Sequence, residues 1–299
     1  MDLFAQWPAR PDPLFVALRD GTHPIQRDVR AHVEELWAIH EPRAHPGFRS
    51  GFAQSLHSRY WEMFLSCQLL ASGERVTSAA AGPDIALQAG PARVWLEATA
   101  PGPGTPGLPD TVPEPEINSE RSLPNPDRRA ALRYSQAVRE KALAQYPRHL
   151  AAGIIAASEP YVIALNGGGF PDGRDDHDRT AILHVLFGKG CGMLVFDQTG
   201  IVDTFHAFAP TASRSSGATV STAVFLDPEY SSVSAVLYSS VDVANPGRLT
   251  GDDFLLIHNP LARVPVPPAV FLGVRECHLS GNPQAGERAT ISYRIRQPA

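Results

Sequence analysis

Residues 51–72 carry apolar side chains around most of a helix circumference, and no other stretch constrains the fold as strongly. Leu56, Tyr60, Met63, Phe64, Cys67, Leu70 and Ala71 recur at helical spacing, and Trp61, Leu65 and Leu69 widen the stripe around the side. A surface helix needs one covered stripe, whereas this one needs cover on two sides, so the fold has to sandwich it. Gly73 ends the pattern. Glu62 lies inside the apolar run, where a carboxylate is out of place.

The flanking segments supply the layers. Residues 1–50 contain scattered prolines and one helix over 27–40, with Val29, Val33, Leu36 and Trp37 at helical spacing. They read as an N-terminal helical arm packed on something larger. After the long helix, short strands are expected at 75–79, 84–88 and 93–98, separated by Ala81-Gly82-Pro83 and Ala89-Gly90-Pro91. Residues 101–126 hold eight prolines, together with Asp110, Glu114, Glu116 and Glu120 and no base before Arg121. This reads as a long, mobile acidic loop. A helix is expected over 127–146, with Asp127 as its N-cap and Pro147 as its stop. A buried strand follows at 159–165, a turn at Asn166-Gly167-Gly168-Gly169 and a helix at 179–187. From Met193 the chain turns to strands, with no internal repeat.

Composition narrows the class. A chain of 299 residues is one large domain or two modest ones at about 150 residues each, and it can bury a core without disulfide or metal staples. The 28 prolines and 24 glycines make it loop-rich without reaching the composition of low-complexity disorder. A net charge of −5 excludes coating of nucleic acid through a global positive field. Cys67, Cys191 and Cys277 lie far apart, which excludes a disulfide scaffold or a cysteine-rich zinc module. The opening MDLFAQWPARPDP lacks a basic segment followed by an apolar one, and no run approaches about 18 apolar residues. The expectation is a soluble, cytoplasmic protein with no membrane partner.

Chemistry is concentrated on two adjacent strands. Asp84 follows Gly82-Pro83 at the start of one, and Glu97 lies in Val94-Trp95-Leu96-Glu97 on the next. Antiparallel strands joined by a short turn can bring such a pair together at one sheet edge. Two convergent carboxylates suit a hard cation such as Mg²⁺, which polarises a phosphodiester and lowers the pKa of an attacking water. Asp84 is also an ordinary turn residue after Gly-Pro. Glu97 is harder to explain by structure alone. If Val94 and Leu96 face one side of the strand, Trp95, Glu97 and Thr99 face the other, and an unpaired carboxylate there is costly.

Pro83-Asp84…Glu97-Ala98-Thr99, with the order helix, three strands, helix, strand over 51–166, resembles the PD-(D/E)XK nuclease superfamily. That resemblance implies a restriction-endonuclease-like αβββαβ core with a mixed central sheet. It implies Mg²⁺ or Mn²⁺ held by Asp84 and Glu97, and hydrolysis of phosphodiester bonds in nucleic acid, DNA in the first instance. Thr99 stands where the family pattern has lysine, and threonine supplies no cation. Some members take the lysine from the following helix. Here Tyr134, Val138, Lys141 and Gln145 share one face of the expected helix 127–146, which makes Lys141 the catalytic lysine and Gln145 a further substrate contact. Glu62 resembles the additional acid that many members carry on the preceding helix. The bland alternatives are an arginine partner from the N-terminal arm for Glu62 and a snorkelling side chain for Lys141.

Between residues 121 and 148 seven bases face only two acids, Asp127 and Glu140. Arg128, Arg129, Arg133 and Arg139 are the expected phosphate-facing surface. The division expected is an arm over 1–50, a nuclease-like core over 51–190 and a β-rich extension over 191–299 packed on it, with a homodimer as one open assembly. Two other readings stay open. One is a nucleic-acid-binding or regulatory protein that keeps the fold without catalysis. The other is an unrelated hydrolase using Cys191 with His184 or His206. Asp175-Asp176-His177-Asp178 reads as a solvated loop before a helix. Gly188-Lys189-Gly190-Cys191-Gly192 and the Gly167–169 run match no phosphate-binding loop. His258-Asn259 reads as a turn capped by the asparagine.

Overall fold

Tyr161–Asn166 (β4) is buried at every position, as the unbroken apolar run Tyr-Val-Ile-Ala-Leu requires when a strand is covered on both faces. Its side chains alternate between two cores. Val162 and Ala164 join Tyr60, Trp61, Phe64 and Leu65 on one face, and Tyr161, Ile163 and Leu165 join Tyr134, Val138 and Ile182 on the other. The protein, as a computed structural model, is described at residues 2–5, 7–77, 82–90, 92–113, 128–170, 180–198 and 200–297.

The elements in chain order begin with helices α1 (Pro13–Asp20), α2 (Pro24–His40), α3 (Phe48–Gln54) and α4 (Leu56–Ala71). Strands β1 (Val76–Thr77), β2 (Ile85–Ala89) and β3 (Ala92–Thr99) follow. Then come α5 (Arg128–Glu140), a π-helical turn (Lys141–Gln145), α6 (Tyr146–Ala151), β4 and α7 (Thr180–Phe187). The remainder is β5 (Lys189–Asp197), β6 (Gly200–Phe208), β7 (Thr211–Ser213), β8 (Thr219–Ser221), β9 (Ala235–Ser239), β10 (Leu255–His258), β11 (Arg275–Ser280) and β12 (Thr290–Ile295).

Eight strands form one mixed sheet in the order β1-β2-β3-β4-β9-β10-β11-β12. The pairs β3–β4, β4–β9 and β10–β11 are parallel and the rest antiparallel. The architecture is therefore mixed α/β with a large mixed sheet. Strands from residues 235–295 extend the same sheet that carries β2 and β3. β5 and β6 form a separate two-stranded ribbon that leaves Leu194, Phe196, Ile201 and Val202 exposed. Among the described residues no helix is long and apolar enough to cross a membrane.

Two expectations are corrected. The helix expected over 51–72 is two helices broken at Ser55. Asp12 causes the break: its N–H donates to the Ala53 carbonyl, and its carboxylate accepts from Leu56 N–H at 3.1 Å and caps α1 through Leu14 N–H. The apolar run itself is sandwiched as its composition demands, with every residue from Tyr60 to Leu69 buried. The helix expected over 127–146 is α5, a wide turn and α6, and Pro147 does not stop it. A proline at 147 cannot donate to the Leu143 carbonyl and crowds it, and the π-helical turn absorbs that mismatch. The strand expected at 75–79 starts at Val76 and runs through Thr77, and residues 78 and 79 lie outside the described residues.

Asp127, Arg121, Glu114, Glu116, Glu120 and the 175–178 acids lie outside the described residues. The glycine run after β4 has a packing cause. A side chain at Gly167 would collide with the Tyr134 and Tyr238 hydroxyls, which face each other at 3.3 Å.

Candidate active site

The β2–β3 register sets the geometry of the acids. Ile85 pairs with Leu96 and Ala86 with Trp95, so Asp84, one residue before β2, falls opposite Glu97. Asp84 is fed by a turn that needs glycine: Gly82 has φ +116°, and a Cβ there would sit 2.5 Å from Ile154 Cγ2. Asp84 Oδ2 accepts from Ala98 N–H at 2.8 Å, which ties the start of β2 to the residue after Glu97. Val94 and Leu96 pack in the core beneath α4 and Trp95 in the core beneath α5, so Glu97 points toward the α5 side as alternation requires.

Lys141 comes from the π-helical turn. Its Nζ donates to Glu97 Oε1 at 2.9 Å, and both side chains are largely buried. Glu97 Oε2, by contrast, is buried without a hydrogen-bond partner. His149 on α6 brings Nε2 to 3.6 Å from that oxygen. On the opposite layer Glu62 is buried in α4 and takes Arg59 from one turn earlier at 2.5 Å. Arg59 in turn lies 3.3 Å from His45 Nε2. The cationic partner of Glu62 is thus within its own helix rather than in the N-terminal arm.

All three carboxyls are held above their ordinary range. Burial raises Asp84, opposed by the Ala98 N–H and Lys141. Burial and then Asp84 raise Glu97, opposed by Lys141. Burial and then Asp84 push Glu62 up to about 7, against Arg59. His149 and His45 are lowered, first by burial. Three desolvated acids with two cations between them leave the cluster short of positive charge. That shortage and the partnerless Glu97 Oε2 suit a cation bound through one or two carboxylates with water completing the shell, but the ligand atoms of Glu62, Asp84 and Glu97 do not all lie within 4.8 Å of one another.

The expected residues divide. Glu62, Asp84, Glu97 and Lys141 stand in one electrostatic neighbourhood, each acid feeling the others or a shared cation. Gln145 is half-buried in the π-helical turn, and no described contact ties it to the acids. Thr99 closes β3 opposite Leu165. Arg128 donates to Asp110 at 3.0 Å and to the Ser213 carbonyl at 2.6 Å, and Arg133 donates to the Gly102 carbonyl at 2.9 Å. These two arginines tie neighbouring loops while staying partly exposed. Arg139 and Arg148 are exposed, and Arg129 is half-buried. Cys191 is exposed in β5 beside Gly192, which pairs with His206, while His184 is buried with Nδ1 3.2 Å from the Lys189 carbonyl.

Sequence reading missed Arg59 and His149. The i, i+3 spacing of Arg59 and Glu62 was an available signal; for His149 there was none, since its place depends on the π-helical turn. It also missed His258, Glu276 and His278, the one trio among the described residues whose ligand atoms all lie within 4.8 Å of one another. There Glu276 accepts from Arg294 Nε at 2.7 Å and also from Arg296. Two guanidinium groups, buried Arg296 and exposed Arg294, already neutralise that carboxylate, so a dication would have to displace a buried charge partner. Asn259 caps its turn as read, accepting from Leu261 N–H and donating to the Tyr230 and Val233 carbonyls. Compared with known protein families, curated proteins and solved structures, the chain matches none.

Proposed function

We propose that the protein is a metal-dependent nuclease with a restriction-endonuclease-like core formed by α4, β1–β3, α5 and β4, acting on DNA. The observation that carries this reading is the Lys141–Glu97 pair at 2.9 Å. A lysine from the helix after the motif strand reaches the motif acid, where Thr99 has no charge to offer. Asp84 and Glu97 would hold the ion, Mg²⁺ or Mn²⁺ on the resemblance, with Glu62 supporting from α4. Once bound, the ion supplies Lewis-acid polarisation of the phosphodiester and a more acidic water.

The chain's own groups do the rest. Lys141 places a positive charge beside Glu97, where negative charge builds on the phosphoryl oxygens in the transition state. Asp84, fixed through Ala98 N–H, keeps its other oxygen for the ion or its water. Hydrolysis forms one bond from water oxygen to phosphorus, breaks one phosphorus–oxygen ester bond and delivers a proton to the leaving oxygen. The test is cleavage of DNA with Mg²⁺ or Mn²⁺ by wild type and Glu97→Ala. Loss of cleavage in a folded variant supports the reading, and full wild-type activity in excess EDTA overturns it.

A second reading, a nucleic-acid-binding module without catalysis, rests on a specific observation: Glu62 and Glu97 are each already engaged by a cation, Arg59 and Lys141. DNA binding with no metal uptake in calorimetry selects that reading over the first.

A further inference from the structure

Strand β5 reads Lys-Gly-Cys-Gly-Met-Leu-Val-Phe-Asp over Lys189–Asp197. Small residues precede Met193 and large ones follow it, with opposite charges at the two ends. Among the described residues β6 is its one strand partner, so one edge of β5 has no strand beside it. Met193, Leu194, Val195 and Phe196, with Ile201 and Val202 across the hairpin, are 37–65% exposed. Successive residues of a strand point to opposite faces, so the ribbon is apolar on both. A lone two-stranded hairpin is marginal in water. These six side chains present on the order of 500 Å² of apolar surface, the upper range for a patch on a single chain.

We propose that β5 is a self-association edge: two copies of the chain pair their β5 strands antiparallel about a two-fold axis at Met193, joining two ribbons into one four-stranded sheet. In that register Gly192 faces Leu194 of the second copy, Cys191 faces Val195, Gly190 faces Phe196 and Lys189 faces Asp197, and each pair occurs twice. Facing residues lie on the same side of an antiparallel ladder. Each large side chain therefore meets a glycine or a cysteine, and each lysine meets an aspartate. Centring on Leu194 instead sets Met193 against Val195 and Asp197 against Cys191, and centring on Gly192 sets Lys189 against Val195; the Met193 register matches size and charge together. The ladder with β6 is regular from Gly192 to Val195, which keeps the central rungs straight. A symmetric pair covers on the order of 1,000 Å² of apolar surface, and the polar atoms between bring it to the roughly 1,200 Å² lower reach of specific interfaces. A second copy is the occupant whose size and charge pattern the strand itself supplies. The interface uses none of the side chains of the acid cluster, so it stands or falls apart from the nuclease reading.

Sedimentation equilibrium of the full chain at micromolar concentration, the weak end for interfaces of this size, is expected to show a dimer. Leu194 is 54% exposed, so Leu194→Arg leaves the fold of each copy intact. It is expected to weaken self-association at least about tenfold, because a charge without a partner enters the interface. Oxidative trapping reads the register in a Cys191→Ser background, where Cys67 and Cys277 are buried. Met193→Cys is expected to give a reducible covalent dimer, since facing Cβ atoms stand about 4.5–5.5 Å apart. Leu194→Cys is expected to give none, since its two copies are diagonal neighbours about 7–8 Å apart. Trapping at Met193→Cys decides the question however Leu194→Arg behaves. The inference is overturned by a monomer throughout, by a dimer that Leu194→Arg leaves unchanged, by no trapping at Met193→Cys, or by equal trapping at Leu194→Cys. A monomer throughout would assign the ribbon to a partner of another kind.

Discussion

Lys141 occupies one oxygen of Glu97 at 2.9 Å and leaves the other, buried oxygen without a hydrogen bond. The carboxylate is therefore half satisfied by the chain and half reserved. Lys141→Met removes the satisfied half. Cleavage is expected to fall about 10²–10³-fold, the scale for losing one electrostatic contact to a transition state. Chemical denaturation is expected to show a loss of about 1–3 kcal/mol, because a desolvated acid is left without its cation.

Glu97→Gln and Asp84→Asn separate fold from metal. Each amide keeps an oxygen for the existing donor, Lys141 in one case and Ala98 N–H in the other, while the ligand charge is lost. Both variants are expected to unfold within about 1 kcal/mol of wild type and to take up no Mn²⁺ in a calorimetric titration. Retained uptake in either would remove that acid from the site.

Glu62 makes the metal-free protein sensitive to pH. Its carboxyl, ordinarily near 4.5, is pushed up to about 7 by burial and by Asp84. Between those values the native state holds a proton that the unfolded chain releases, so stability is greatest below about pH 4.5 and declines as pH rises through 7. For this group the loss amounts to at most about 3 kcal/mol. Urea midpoints measured from pH 4.5 to 7.5 should show the decline in wild type and a flatter profile in Glu62→Gln.

The same proton should be expelled by a cation. Metal binding near pH 6 is expected to release protons from the raised carboxyls. Titrations in two buffers of different ionisation enthalpy should therefore give different apparent heats, and identical heats would contradict the charge deficit assigned to the cluster.

Gly82→Ala tests the turn that presents Asp84. With φ at +116° and Ile154 at 2.5 Å from the added carbon, the substitution is expected to cost about 1–3 kcal/mol. It should weaken Mn²⁺ affinity as well, because Pro83 and Asp84 move with the turn. Thermal denaturation and calorimetry on the same sample check both effects.

Asp84 and Glu97 were legible in the sequence because a hairpin is a local structure: its turn residues, strand alternation and paired acids all lie within a few residues of each other. Lys141 was legible for a partly mistaken reason. Its helical stripe with Tyr134 and Val138 pointed it inward, but the helix opens into a π-helical turn at Lys141 itself. The loop partners of Arg128 and Arg133 were not legible, because a run of bases looks the same whether or not carbonyls of neighbouring loops lie within reach. His149 and the Glu276 cluster depend on contacts between distant segments, β10 with β11 and β11 with β12 in the second case, and single-chain periodicity carries no information about those.

The β2–β3 hairpin has one further consequence. Because Asp84 and Glu97 occupy facing rungs of one antiparallel ladder, the stretch of sequence between them measures how far the hairpin extends beyond the acids. Trimming two residues from each strand near Gly90 would shorten that stretch while leaving the carboxylates opposite each other and every side chain on its original face. Spacing between the acids is therefore a free variable of the scaffold, and pairing across the ladder is the invariant. Deletions at the hairpin tip should be tolerated by the chemistry, while a single residue inserted into only one strand next to the acids should abolish it.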